Sequence, residues 1–197
     1  MGLDQYITIR HKSTNVAYEK WNNYWKLSDE ERKNVREPNE PEKDLILGYF
    51  RKHHSIHQWF VKNIQNGNDD CGRYKVSVNE LETLKKLCEE IMSHVAKEKA
   101  EPKFYTTNDG RQYEMFQYDK YTVDEEGKKI IDELLPSHYQ SWGNEGYSDD
   151  YFYTLENAIE VLGQVIEICN RNFFSFYTDR ETGEYKGCWV LEYVSSW

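Results

Sequence analysis

The chain has 197 residues, of which 38% are hydrophobic, 30% charged and 15% aromatic, and its formal net charge is −10. These numbers fit one packed domain, because each buried ring removes roughly 150–250 Å² from water and offsets the lean aliphatic content. The acidic balance argues against non-specific binding to nucleic acid or to an anionic membrane, and no apolar run approaches the roughly 20 residues of a bilayer span.

The opening MGLDQYITIR carries an early acid and no apolar core of the signal-peptide kind. MGLDQY also lacks the Ser or Thr that a myristoylation signal places sixth. A cytoplasmic protein is expected. Over residues 2–10, Leu3, Ile7 and Ile9 alternate with Tyr6, Thr8 and Arg10, the pattern of a half-buried strand. Residues 15–26, with Ala17, Tyr18, Trp21, Tyr24 and Trp25, read as a short amphipathic helix. Ser28 and Glu31 form a capping-box pattern, and the Pro38 and Pro41 segment that follows breaks the chain.

Residues 44–64 are predicted as one central helix, capped by Asp44 and ending at Asn66-Gly67. Its apolar stripe is Ile46, Tyr49/Phe50, His53, Ile56/His57, Phe60 and Ile64. Ser55, Trp59, Lys62 and Asn63 fall off that stripe, beside Lys52. From Leu45 to Asn68 there is no acidic residue, although the chain has 35 acids in all. This basic, aromatic island is the best candidate for a binding surface.

A tight turn at 68–72 leads to a short strand at 73–76. Ser77 and Glu80 open a helix reaching about residue 97, with Leu81, Leu84, Cys88, Ile91 and Val95 on its core face. Asn108-Asp109-Gly110 folds 103–118 into a hairpin. Thr122 and Glu125 cap a helix over 122–135, closed by Pro136. The polar, aromatic loop 137–150 is long enough to be a binding loop. A helix over 150–172 has the stripe Leu155, Ile159, Leu162, Ile166 and Cys169, and strands are expected at 173–178 and 185–194. The sum is an α+β single domain with three main helices packed on a small, mainly antiparallel sheet; no βαβ series or phosphate-loop glycine pattern is present.

The four cysteines, Cys71, Cys88, Cys169 and Cys188, contain no CxxC pair, and Cys88 and Cys169 read as buried small hydrophobes in a reducing compartment. His53 and His57 stand four apart, as metal ligands on a helix do, with Asp70 or Cys71 the nearest third ligand; the plainer reading is two histidines hydrogen-bonded at the core edge. Cys71 with a histidine lacks an orienting partner, and Asp69/Asp70 and Asp149/Asp150 read as turn and helix caps. We therefore expect no catalytic residue, no metal and no cofactor. A pocket for a nucleotide-like ligand has better parts. Arg51 and Lys52 supply donors for phosphate, and Trp59, Trp142, Tyr147 and Trp197 offer flat faces. Asn63, Gln65 and Asp70 are placed to read hydrogen-bonding edges, and His57 is counted among the ligand-binding residues. The alternative for these aromatics is simple core filling.

MGLD at the start, the Tyr49–Asn63 run YFRKxxxIHxWFVxN, QNGxDDC at 65–71, Leu134-Leu135-Pro136 and the terminal Ser195-Ser196-Trp197 resemble an uncharacterised family of small bacteriophage and prophage proteins. The blocks span nearly the whole chain. Residues 14–43 and 103–122 look like insertions, and Phe50 stands where other members tend towards Trp. The resemblance implies a protein acting by binding in the host cytoplasm, as anti-defence sponges do when they sequester a nucleotide-derived immune signal. An acidic inhibitor of a host defence protein, with imitation of DNA as one form of it, and a small nucleotide hydrolase are the alternatives; either a small ligand or a host protein, and a homo-oligomer, fit as partners.

Overall fold

The computed structural model describes residues 2–38, 44–115, 119–136, 147–171 and 189–196. The expected strand at 173–178, Cys188, Trp142, Trp197 and most of the 137–150 loop lie outside these residues. The elements are β1 (Asp4–His11), α1 (Lys12–Lys26), α2 (Asp29–Arg32), β2 (Leu45–Arg51), α3 (His54–Asn63), β3 (Arg73–Lys75), α4 (Val78–Ser93), β4 (Val95–Glu98), β5 (Lys103–Thr106), β6 (Gln112–Met115), β7 (Lys120–Val123), α5 (Glu125–Leu134), α6 (Asp149–Asn170) and β8 (Trp189–Ser196). The fold is α+β with antiparallel sheets. Six helices and three sheets occur among the described residues, a richer set than three helices on one sheet.

The principal sheet has the order β2-β1-β8-β3, every neighbour antiparallel. Along β1, Gln5, Ile7 and Ile9 face the core, joined by Phe50 of β2 and by Leu191 and Tyr193 of β8. On that face, α6 lies against β2 at Gly48, where an added Cβ would sit 2.9 Å from Val165 Cγ2 and 3.0 Å from Val161 Cγ1. Only a residue without a side chain admits the helix so close. α3 covers the same face through Phe60, stacked on Tyr193 with centroids 3.8 Å apart. Leu81, Leu84, Cys88 and Ile91 of α4 then pack with Leu155, Ala158, Leu162 and Val165 of α6 into one continuous core. Burial pushes the Cys88 thiol up to about 12 and the Cys169 thiol up to about 11, as expected of small hydrophobes.

Residues 44–64 are not one helix. Leu45–Arg51 forms β2, paired with β1 from Asp4↔Arg51 to Ile9↔Leu45, and the helix begins only at His54. The stripe read at three- and four-residue spacing also fits a strand followed by a helix. What decides is tertiary: the strand finds a ladder partner in β1 and buries Gly48 and Phe50. Lys52, at φ 61, breaks the two elements apart. Leu47 is an extra residue in β2, since Ile7 pairs with Gly48 and Thr8 with Ile46. Ser77 is the true cap of α4, with a complete capping box. In the next helix the cap is Asp124 and not Thr122, which belongs to β7; Asp124 accepts from the Gly127 N–H at 2.8 Å.

Candidate functional site

The acid-free stretch meets the surface at the outer face of β1 and β2. Lys52 N–H donates to the Leu3 carbonyl at 2.8 Å, which fixes the ladder phase. Three residues on, Tyr6↔Tyr49 falls at a non-hydrogen-bonded position, where facing side chains come closest. The two rings lie 5.2 Å apart, tilted by 32°. Asp4↔Arg51 is the next pair on that face. Tyr49 donates its hydroxyl to Asp4 Oδ1 at 2.5 Å, which holds its phenol above the usual tyrosine value. Arg51 Nε stands 3.9 Å from the same oxygen, with its side chain 67% exposed. This is a loose contact, of a kind that contributes ~1 kcal/mol or less. Lys52 is exposed beside it, and Ile46, 60% exposed, extends the face along β2. The arrangement offers flat rings, two cations and one oriented carboxylate within a few residues.

Of the residues singled out from sequence, Arg51 and Lys52 belong to this face. Trp59 does not: it is 7% exposed and packs edge-on against Phe60, so it has no free ring for a ligand. Ser55, also read as lying off the core stripe, is buried. His57 is fully buried, its Nδ1 2.7 Å from the Tyr193 hydroxyl and its Nε2 3.1 Å from Asp69 Oδ1. Gln65 is buried at 1% exposure. Asn63 is exposed but gives its amide to the Trp59 carbonyl at 2.8 Å, closing the last turn of α3. Asp70 is engaged by the Asn68 amide, the Gly72 N–H and the Tyr74 hydroxyl, and so fixes its own turn. Tyr147 donates to Asp132 at 2.5 Å, and that bond lifts its phenol to about 12. Trp142 and Trp197 fall outside the described residues.

Beneath α3 runs a buried polar chain. Tyr193 donates to Gln5 Oε1 at 3.0 Å, Gln5 donates to the His53 carbonyl at 3.1 Å, and His57 joins at the Tyr193 hydroxyl. The His57–Asp69 approach is an ion-pair distance without the alignment of a hydrogen bond. His53 is the N-cap residue of α3 and gives no side-chain cap bond; desolvation drives its imidazole down to about 4. Both histidine side chains are buried. No group of three or more metal-capable side chains occurs among the described residues.

A concavity of about 440 Å³ lies between β4, β7 and the start of α6, lined by Lys97, Glu98, Lys120, Tyr121 and Asp149 among others. Its central cation is already neutralised: Lys97 bonds both Glu156 oxygens, at 2.9 and 2.8 Å, and sits 3.2 Å from Asp119. The Glu156 carboxylate holds Lys97 protonated far above its usual range. The Tyr121 hydroxyl also donates to Glu156, and burial together with that bond lifts it to about 12. The cluster ties β4 and β7 to α6.

Asp4, Tyr6 and Tyr49 were not among the sequence-derived site residues. A signal existed, since Tyr6 alternates with Leu3 and Ile7 on the polar side of a predicted strand, but its partner strand was hidden inside a predicted helix. Comparison with protein-family models, with curated proteins and with solved structures yields no match to this chain.

Proposed function

We propose that the protein is a non-enzymatic binder that sequesters a nucleotide-derived signalling molecule, as a phage anti-defence sponge does, on the outer face of β1 and β2. The observation that carries this reading is the Tyr6–Tyr49 pair set directly beside Arg51 and Lys52. Aromatic faces take a base by stacking, at roughly 1–3 kcal/mol per base, and an exposed guanidinium forks onto phosphate oxygens. In a chain of net charge −10, two neighbouring cations on an open face make a local attractor for an anion.

The test is a thermal-shift screen against cyclic dinucleotides and ADP-ribose-type nucleotides, followed by denaturation and analysis of the released ligand. A binder raises Tm and returns the ligand intact; recovery of a cleaved product points to a hydrolase instead. Arg51→Ala and Tyr49→Ala should abolish the shift while the fold stays intact, and a full response from either variant refutes this location. A second reading, an inhibitor of a host protein, is favoured by the exposed Leu45 and Ile46 at the same edge. It predicts no response to any nucleotide and co-purification of one host protein that Ile46→Asp releases.

A further inference from the structure

Asp4 is a surprising neighbour for a phosphate-binding cation. A carboxylate facing Arg51 repels an anionic ligand and competes with it for the guanidinium, so its presence needs a use. Its geometry supplies one. Oδ1 is held by the Tyr49 hydroxyl at 2.5 Å, which fixes the orientation of the whole group. Oδ2 has no hydrogen-bonding partner among the described residues, and the side chain is 31% exposed. Among the described residues the carboxylate is thus oriented and has one acceptor oxygen unengaged. A nucleotide presents only a few donors to such an oxygen: the hydroxyls of its ribose and the amino or ring N–H groups of its base.

Position along the ladder separates these. The ring pair Tyr6↔Tyr49 and the charged pair Asp4↔Arg51 are two residues apart on one face, about 7 Å along the strand. Asp4 stands across from Arg51, one ladder step beyond the rings, and the Tyr49 hydroxyl ties it to them, so a base stacked on the rings with its phosphate turned to Arg51 and Lys52 on the β2 side carries its sugar past the Asp4 carboxylate. We infer that Asp4 is a specificity-determining residue of this face: its open oxygen accepts from ribose hydroxyls, and the site therefore takes ribonucleotides in preference to deoxyribonucleotides. The inference rests on the binding reading above and narrows its ligand class.

Titration calorimetry with AMP and 2′-deoxy-AMP tests it on the full chain. The intact protein should bind AMP about tenfold or more tightly than 2′-deoxy-AMP, the scale of one lost hydrogen bond to a charged group. Asp4→Ala should collapse the gap to less than about twofold, chiefly by weakening AMP. Tyr49→Phe keeps the ring but frees the carboxylate, and should narrow the gap. Thermal denaturation of both variants checks that they fold. Equal affinities in the intact protein, or a gap that survives Asp4→Ala, overturn the inference while the binding face stands. Arg51→Ala should weaken both nucleotides alike. If neither nucleotide binds the intact protein at millimolar concentration, this inference falls, while the binding reading is decided by the screen against cyclic dinucleotides and ADP-ribose-type nucleotides.

Discussion

Tyr193 shows how much one side chain can organise. Its ring is fully buried, lies flat on Phe60, and its hydroxyl meets both Gln5 and His57. Burial, with the Asp69 charge behind it, pushes its phenol well above the usual range, so it serves as a neutral hydrogen-bonding group. Tyr193→Phe preserves the stack but strips partners from a buried amide and a buried imidazole. The expected loss is about 2–3 kcal/mol in urea denaturation, from the cost of unmet buried polar groups rather than from packing. A loss below about 0.5 kcal/mol would show that water replaces the hydroxyl freely. None of this could be read from sequence. A tyrosine in an alternating strand gives no sign of whether its hydroxyl ends in solvent or on a histidine 136 positions away. The plainer reading of His57, as a hydrogen-bonded core histidine, is the one its surroundings support.

Among the elements, those whose signals are local were legible and those decided by a distant partner were not. α4 and α6 follow from apolar spacing and caps that lie within their own sequence, and the β5–β6 hairpin from its Asn-Asp-Gly turn. The helical expectation for β2 fails because Ile46, Phe50 and His53 mimic a helical stripe, and only the remote β1 selects the extended form. Two capping boxes of the same pattern should accordingly differ in weight. Ser77→Ala should lower global stability by about 1 kcal/mol, because α4 carries four core residues. Ser28→Ala should leave it unchanged within error, because α2 buries nothing. Chemical denaturation of the pair side by side checks both. Gly48→Val tests the helix–sheet contact: the new side chain meets Val161 and Val165, and a loss of about 1–3 kcal/mol from overpacking is expected by the same measurement.

At the scale of the whole molecule, His53 gives stability a pH dependence. Its folded value of about 4 lies below the ordinary 6.5, so the unfolded chain binds a proton more readily than the native one between those limits. Stability is therefore full above about pH 6.5 and declines as pH falls towards 4, by roughly 3 kcal/mol from this group. Asp150 opposes the shift and His54 reinforces it, but desolvation dominates. Urea titrations between these limits should show a shallower slope for His53→Gln than for the parent, and parallel slopes would contradict the account. The extra residue in β2 matters on this scale too. Tyr49 and Arg51 direct their backbone groups outward at an even spacing, but Leu47 throws the next such residue, Ile46, out of step. Among the described residues β2 has no second ladder partner, and a strand from another molecule can follow this edge for two or three residues before it loses register, a misfit of the kind that discourages edge-to-edge pairing. Deleting Leu47 leaves Ile7 opposite Gly48 and Thr8 opposite Ile46 while restoring an even edge. The shortened chain should scatter light increasingly with concentration where the parent does not.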